Sequence, residues 1–376
     1  MQKINMVDLQ GQYLKIKEEL NARILEVIDS GAFVKGPAVQ QFEENLAKFH
    51  NCKHVISCGN GTDALQIAMM ALGFKPGDEV ITVSFTYVAT VEVIKLLGLV
   101  PVFVDVDPDT FTIDVNQIEA KITDKTVAIA PVHLYGQSAD MHPLMEIAKK
   151  HKLYVIEDNA QAIGADYIYP DGKKVKTSCI GDIGCTSFYP SKNLGAMGDG
   201  GAITTNDDDL ATKLRQIANH GQSSLYQFDL IGVNSRLDGI QAALLDVKLS
   251  YLNDYLAARQ EAAAYYDNAF KNHQKITPPK RAPYSTHVFH QYTLKLADDI
   301  DRDKLKNYLN EQGVPSMVYY PKPLHMHKAY TDLGFSKGDL PVSESLSERV
   351  ISLPMHTELT TNQLDYIIEH VLKYCK

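Results

Sequence analysis

A chain of 376 residues exceeds what one hydrophobic core usually serves, so a large domain with a smaller companion is expected. With 45% hydrophobic and 22% charged residues, it has the balance of an ordinary globular protein. Its net charge of −9, with no offsetting basic cluster, argues against nucleic acid as a partner but leaves room for a phosphorylated small ligand held by local donors.

Residues 1–30 lack the apolar centre of a secretory leader, and no run is long enough to cross a bilayer, so a cytoplasmic protein without a membrane partner is expected. The five cysteines, Cys52, Cys58, Cys179, Cys185 and Cys375, are odd in number and lack metal-ligand spacing, which reads as reduced thiols and no metal site. Residues 1–50 read as a short lead-in and two helices, separated by Gly31-Ala32-Phe33-Val34-Lys35-Gly36-Pro37. Residues 54–57 read as a strand. Cys58-Gly59-Asn60-Gly61-Thr62 then turns into a helix whose apolar positions Leu65, Ala68, Met69 and Leu72 recur at helical spacing. A glycine turn opening a helix offers free N–H groups and the positive end of the dipole to a phosphate, although many α/β proteins share such a turn.

Strands are expected over 79–83, 100–106 and 127–132, and helices after Phe85-Thr86-Tyr87 and over 115–121 and 141–151. His133, alone at a strand end, reads as a hydrogen-bonded structural residue. The run Leu153-Tyr154-Val155-Ile156-Glu157-Asp158 reads as a strand with acids at its carboxyl end, the end where open α/β sheets bind ligands. Residues 167–180 are polar and contain Pro170-Asp171-Gly172, an inserted hairpin. Residues 183–188 form the next strand, followed by Lys192 and the glycine-rich stretch Gly195 to Gly201. Strands alternating with helices over 55–203 imply a parallel sheet.

A lysine between a buried strand and a glycine turn is a poor structural choice, because burying an ammonium costs several kcal/mol, roughly. It makes sense if the amine is needed neutral, as a nucleophile towards an aldehyde. A strand-end Asp158 followed by a strand-end Lys192 is the pair pyridoxal phosphate requires: the carboxylate keeps the pyridine nitrogen protonated and the lysine binds the aldehyde covalently. Beyond a helix near 207–220, Asn234-Ser235-Arg236 opens what reads as one long amphipathic helix with Leu245, Leu249, Leu252 and Leu256 on its apolar stripe. After about Tyr251, strands at 289–296 and 315–320 and helices at 302–312 and 361–374 suggest a small α+β domain.

Four ordered segments carry a resemblance. Gly61-Thr62-Asp63-Ala64, Val155-Ile156-Glu157-Asp158-Asn159-Ala160-Gln161, Ser187-Phe188-Tyr189-Pro190-Ser191-Lys192-Asn193-Leu194-Gly195 and Asn234-Ser235-Arg236-Leu237-Asp238-Gly239-Ile240-Gln241-Ala242-Ala243 resemble the DegT/DnrJ/EryC1/StrS sugar aminotransferases. The resemblance runs from about Asp8 to the last helix. It implies an α/β, aspartate-aminotransferase-like (fold type I) large domain over 1–250 with a mixed, mostly parallel sheet, and a small α+β domain over 251–376. It implies pyridoxal 5'-phosphate held by backbone N–H groups of Gly61, Thr62 and Asp63 and by the hydroxyls of Thr62 and Ser187. By the same resemblance Tyr87 stacks on the ring, Asp158 meets its nitrogen, Gln161 lies by the phenolic oxygen and Lys192 binds the aldehyde. Asn234 reaches across a homodimer interface to the partner's cofactor phosphate, while Arg236, Tyr189, Tyr319 and Phe33 face the sugar.

The implied reaction moves an amino group from L-glutamate to a keto group of a nucleotide-linked sugar, for surface polysaccharide or other glycans. Tyr189, Leu194-Gly195 and Gly198-Asp199-Gly200-Gly201 resemble the branch acting at C-3, on UDP-2-acetamido-3-keto-hexuronates or dTDP-3-keto-6-deoxyhexoses. The branch acting at C-4 is the alternative; Tyr319 also departs from a histidine common among relatives. A dehydratase of the same family would carry histidine in place of Lys192, a non-catalytic regulator would be expected to add a DNA-binding segment, and a purely structural α/β protein would not need Asp158, Ser187 and Lys192 in this order.

Overall fold

The computed structural model describes residues 3–376, so the first two residues of the expected lead-in lie outside the described residues. Two helices open the chain, α1 (Leu9–Ser30) and α2 (Pro37–His50). Gly31 takes a left-handed conformation to end α1, and proline begins α2. The central unit then runs β1 (His54–Cys58), α3 (Gly61–Ala71), β2 (Glu79–Val83), α4 (Ala89–Leu96), β3 (Val100–Val104), β4 (Thr126–Ile129), α5 (Met141–His151), β5 (Tyr154–Asp158), the hairpin β6 (Asp166–Ile168) and β7 (Lys174–Lys176), β8 (Ile183–Ser187), β9 (Gly201–Thr205) and α6 (Asp208–Ile217). A small hairpin, β10 (Gln222–Ser224) and β11 (Gln227–Phe228), leads to α7 (Gly239–Ser250) and α8 (Leu252–Phe270). The chain closes with β12 (Ile276–Thr277), β13 (Tyr292–Leu296), α9 (Arg302–Glu311), α10 (Pro341–Arg349), β14 (Val350–Leu353) and α11 (Thr361–Tyr374).

Seven strands form the main sheet in the order β1-β9-β8-β5-β4-β2-β3. All neighbours are parallel except β9, which runs antiparallel to both β1 and β8. The sheet is therefore mixed and mostly parallel, as expected. Apolar residues fill both its faces. Ile56, Leu65, Ala68 and Ile183 lie in one cluster, and Ile81, Val104, Ile129 and Val155 in another. A separate antiparallel sheet, β12-β13-β14, packs against α8, α9 and α11 through Tyr266, Phe270, Leu294, Leu305 and Ile367. Ile4 joins this second core, and Lys3 and Met6 bond to Gln363 and Met355, so the start of the chain clasps the C-terminal unit.

Four sequence expectations need correction. Residues 115–121 form two short 3-10 turns, not an α-helix; Ile118 is their one fully buried anchor and Asp114 caps only the first. The expected long helix is two, α7 and α8, meeting at Tyr251, although Leu245, Leu249, Leu252 and Leu256 do share one buried stripe. The strand expected from 289 starts at Tyr292, because Phe289 has a φ of 46° that no strand accommodates. Residues 315–320 make a single antiparallel bridge, Met317 to Ser352. The partner of β13 is β14, and Tyr320, at a φ of 60°, turns the chain away.

Glu157 holds the sheet's carboxyl edge in register. It is fully buried and accepts from the amides of Ser178 at 2.8 Å, Ile180 at 2.7 Å and Gly181 at 2.8 Å, with His133 Nε2 at 2.9 Å. His133 is thus the structural residue its position suggested. Replacing Glu157 with Leu strands three buried amides and a histidine, so urea denaturation of Glu157→Leu should show a loss of roughly 3–5 kcal/mol.

Candidate active site

The N-terminus of α3 and the end of β8 meet in a close backbone contact. A Cβ on Gly61 would lie 2.7 Å from Ser187 Cβ, so only glycine fits there. Asn60 caps the helix by accepting from Asp63 N–H at 2.8 Å. That commits the Asp63 amide and leaves those of Gly61 and Thr62, beside the Ser187 hydroxyl, as the first-turn donors open to an anion. The Asp63 carboxylate is tied elsewhere: Ser235 Oγ donates to it at 2.6 Å and accepts from Gly59 N–H at 2.9 Å. Ser235 thereby docks the 234–236 stretch onto the helix-opening turn.

Asp158, 6% exposed, ends β5 with its carboxylate between two donors, Thr90 Oγ1 at 2.6 Å and Ala160 N–H at 3.1 Å. Lys192 lies in the tight loop after β8. Its side chain is half-buried and crowded by protein, and among the described residues its amine has no hydrogen-bond or ion-pair partner. Desolvation lowers its pKa to about 8, with the charge of Asp158 pulling the other way. At neutral pH the neutral amine is then about a tenth of the population, several hundred-fold more than for a free lysine. The loop is locked from below. Lys248 Nζ, itself buried, donates to Gly195 C=O at 2.7 Å, and a Cβ on Gly195 would fall 2.2 Å from Pro190 C=O.

Gln161 accepts from Tyr135 N–H at 2.8 Å and donates to the Tyr320 hydroxyl at 2.7 Å. Tyr320 packs edge-on to Phe85 and stacks on Tyr135. Tyr319 lies near Gln291 and Arg259. Tyr87 is 62% exposed between β2 and α4 and lies near Tyr320, which leaves its ring open to a flat ligand. Tyr189 and Phe33 are exposed, Arg236 is half-buried, and Asn234 points outward on a strand-like stretch bridged to Asn219.

The structure therefore brings together Gly61, Thr62, Ser187, Asp158, Lys192 and Gln161 on one edge, with Tyr87 close by. Asn234 and Phe33 are exposed within the single chain. Sequence reasoning missed Thr90, Tyr320 and His290. His290 is buried near Lys192 with an unpaired Nδ1, and desolvation and the charge of Lys192 hold it neutral. None of the three had a local signal; each arrives from a distant segment.

A flat ring carrying a phosphate and an aldehyde fits these residues, with the glycine cradle for one end, the Asp158 carboxylate for a ring N–H and a free amine for the aldehyde. The desolvated Lys192 also carries a stability cost in the ligand-free protein. Its folded pKa lies below the unfolded one, so the cost is full below about pH 8 and fades as pH rises towards the model lysine value of 10.5. Apo Lys192→Met should therefore melt higher than apo wild type at pH 7, with the gap closing by pH 10 in thermal denaturation; an unchanged or lower melting temperature at pH 7 contradicts the desolvated amine.

A sequence profile of the DegT/DnrJ/EryC1/StrS aminotransferase family matches residues 14–372. The chain is 47% identical over 365 residues to the UDP-2-acetamido-2-deoxy-3-oxo-D-glucuronate aminotransferase of Pseudomonas aeruginosa, covering 97% of this chain and 98% of that protein. It is 46% identical over 376 residues to a pleiotropic regulatory protein of Geobacillus stearothermophilus, covering 99% and 98%. The crystal structure of NtdA from Bacillus subtilis, with bound cofactor PMP, superposes with a TM-score of 0.88 at 34% identity, covering 96% of this chain and 82% of that one. The chain belongs to the DegT/DnrJ/EryC1/StrS aminotransferase family.

Proposed function

We infer that this protein is a pyridoxal-phosphate-dependent aminotransferase that moves an amino group from L-glutamate to the C-3 keto group of a nucleotide-linked sugar, for surface polysaccharide or related glycans. The observation that carries the reading is the desolvated, unpaired Lys192 amine near Asp158. The substrate class follows the relatives, among them the UDP-linked 3-oxo-glucuronate enzyme. The cofactor supplies an electron-accepting ring and an aldehyde that carries the amino group between substrates.

The chain's own residues divide the remaining work. Gly61, Thr62 and Ser187 would hold the phosphate, and Asp158, fixed by Thr90, would keep a proton on the ring nitrogen. Lys192, whose pKa desolvation lowers to about 8, is suited to take a proton from the substrate carbon and give it back. Gln161, held by Tyr135 and Tyr320, and the exposed ring of Tyr87 would complete the cofactor site.

Asn234 faces outward, and the adjoining hairpin exposes Leu225, Tyr226, Phe228 and Ile231. Such an apolar patch suits burial against a second copy, and this supports a homodimer in which Asn234 would reach the partner's phosphate. The free thiols fit a reducing cytoplasm, and among the described residues no helix is long and apolar enough to cross a membrane. A purely regulatory role, which the name of one relative raises, leaves the cost of the desolvated amine unexplained.

The deciding experiment loads the protein with pyridoxamine phosphate and offers a panel of nucleotide keto sugars, following the absorbance of the lysine-bound cofactor as it returns. UDP-linked 2-acetamido-3-keto sugars should restore it in wild type and fail to do so in Lys192→Ala; restoration by no member of the panel rejects the assignment. Asn234→Ala should weaken cofactor retention by about tenfold, the scale of one charge-assisted contact, as read by equilibrium dialysis. Unchanged retention would place Asn234 outside the partner's site.

A further inference from the structure

Two of the five cysteines stand apart from the others. Cys58, Cys185 and Cys375 are buried, and burial pushes their thiols up, which leaves them unreactive. Cys52 and Cys179 are each half-buried, so solvent reaches both. They are far apart in the sequence. Cys52 lies in the short link between α2 and β1, and Cys179 in the link between β7 and β8. Contacts on both flanks bring these links together. On one side Lys176 Nζ sits 5.5 Å from the centre of the Phe49 ring, at the end of α2. On the other, Val55 of β1 pairs with Thr204 of β9, whose hydroxyl lies 2.8 Å from Ser178 Oγ. Between these contacts the two thiols are neighbours, each the strongest influence on the other's ionisation.

Both backbones are fixed. Asn51, left-handed at a φ of 54°, ends α2, and Cys52 N–H donates to Ala47 C=O at 3.1 Å. Cys179 N–H donates to Lys176 C=O at 3.2 Å, and the amides on either side of it, those of Ser178 and Ile180, are held by Glu157. Neighbouring thiols on fixed backbones have a short path to a bond. Their chemistry is also unequal. Cys179 holds the Cys52 thiol below its usual range, and Cys52 in turn pushes Cys179 up, with burial adding to the rise. The pair shares its protons so that Cys52 ionises first, and a thiolate beside a retained thiol is the arrangement that oxidants attack.

We propose that Cys52 and Cys179 are a peroxide-oxidised dithiol, whose reversible disulfide joins the link between α2 and β1 to the segment that Glu157 anchors. The Cys52 thiolate attacks one oxygen of hydrogen peroxide and breaks the O–O bond, giving a sulfenic acid and hydroxide. The Cys179 sulfur then displaces the sulfenic oxygen, which leaves as water with the Cys179 proton. The two sulfurs lose two electrons in all, and the peroxide, with the proton first lost by Cys52, ends as two waters. A thiol reductant reverses the bond, as a transient disulfide in a reducing compartment requires. The crosslink closes a long loop and pins β1 to the strand edge that bears Asp158, so the oxidised form is the more stable one. None of this depends on the aminotransferase reading.

The test treats the full-length, cofactor-loaded protein with a small excess of hydrogen peroxide, blocks the remaining thiols and reads intact mass and peptide maps. Wild type should lose the mass of two hydrogens, yield one linked peptide pair containing Cys52 and Cys179, melt higher than the reduced protein, and return to its starting mass and melting temperature with dithiothreitol. Cys179→Ser should instead stop at a sulfenic acid on Cys52, captured by dimedone, and Cys52→Ser should label at least about tenfold more slowly at Cys179. No linked pair, a link to any other cysteine or between two copies, or a lower melting temperature on oxidation overturns the proposal. So does equal labelling in the two variants, which would remove the unequal roles of the thiols. The wild-type map needs no substitution, so a variant that fails to fold leaves the decision with it.

Discussion

A partly desolvated amine near a carboxylate is the constraint around which this molecule is arranged. Lys192 gives up part of its hydration without gaining a hydrogen-bond partner, and Asp158 offsets that loss only in part. The surroundings hold both groups still. Thr90 fixes the carboxylate from α4, and Lys248 grips the lysine loop from α7. Glu157, one residue before Asp158, ties the strand edge to the segment that precedes β8. A buried anion with several donors stabilises the scaffold, while a buried cation with none serves the chemistry.

The site is also a product of discontinuity. Ser235 joins the approach to α7 with the opening of α3, and Tyr320 comes from beyond β13 to hold Gln161. Glycine at 61 permits β8 and α3 to meet closely enough for one phosphate to touch both. No single segment makes a pocket here; the topology of the sheet does, by ending β5 and β8 side by side.

Much of this was readable in advance, for stated reasons. The last helix was expected over 361–374 and occupies those residues, because a Thr360–Gln363 capping box marks its start and its apolar stripe is continuous. Asp158 and Ser187 sit at strand ends and Lys192 in the loop that follows, where periodicity and punctuation reveal them. The short strand β14 left no such trace, since it begins at Val350 directly after α10 ends at Arg349, with no turn residue between them. Thr90, Tyr320 and His290 were illegible because their roles come from contacts across long stretches of sequence.

The clasp of residues 3–6 on the C-terminal unit bears on how the protein is made. Ile4 is made long before Val371, which shares its core. That hydrophobic cluster cannot be completed until both segments exist, and it then closes a loop of more than three hundred and sixty residues, roughly. The nascent chain therefore carries an unfinished apolar surface until Val371 is made, which makes this docking step the one most exposed to aggregation and to chaperones.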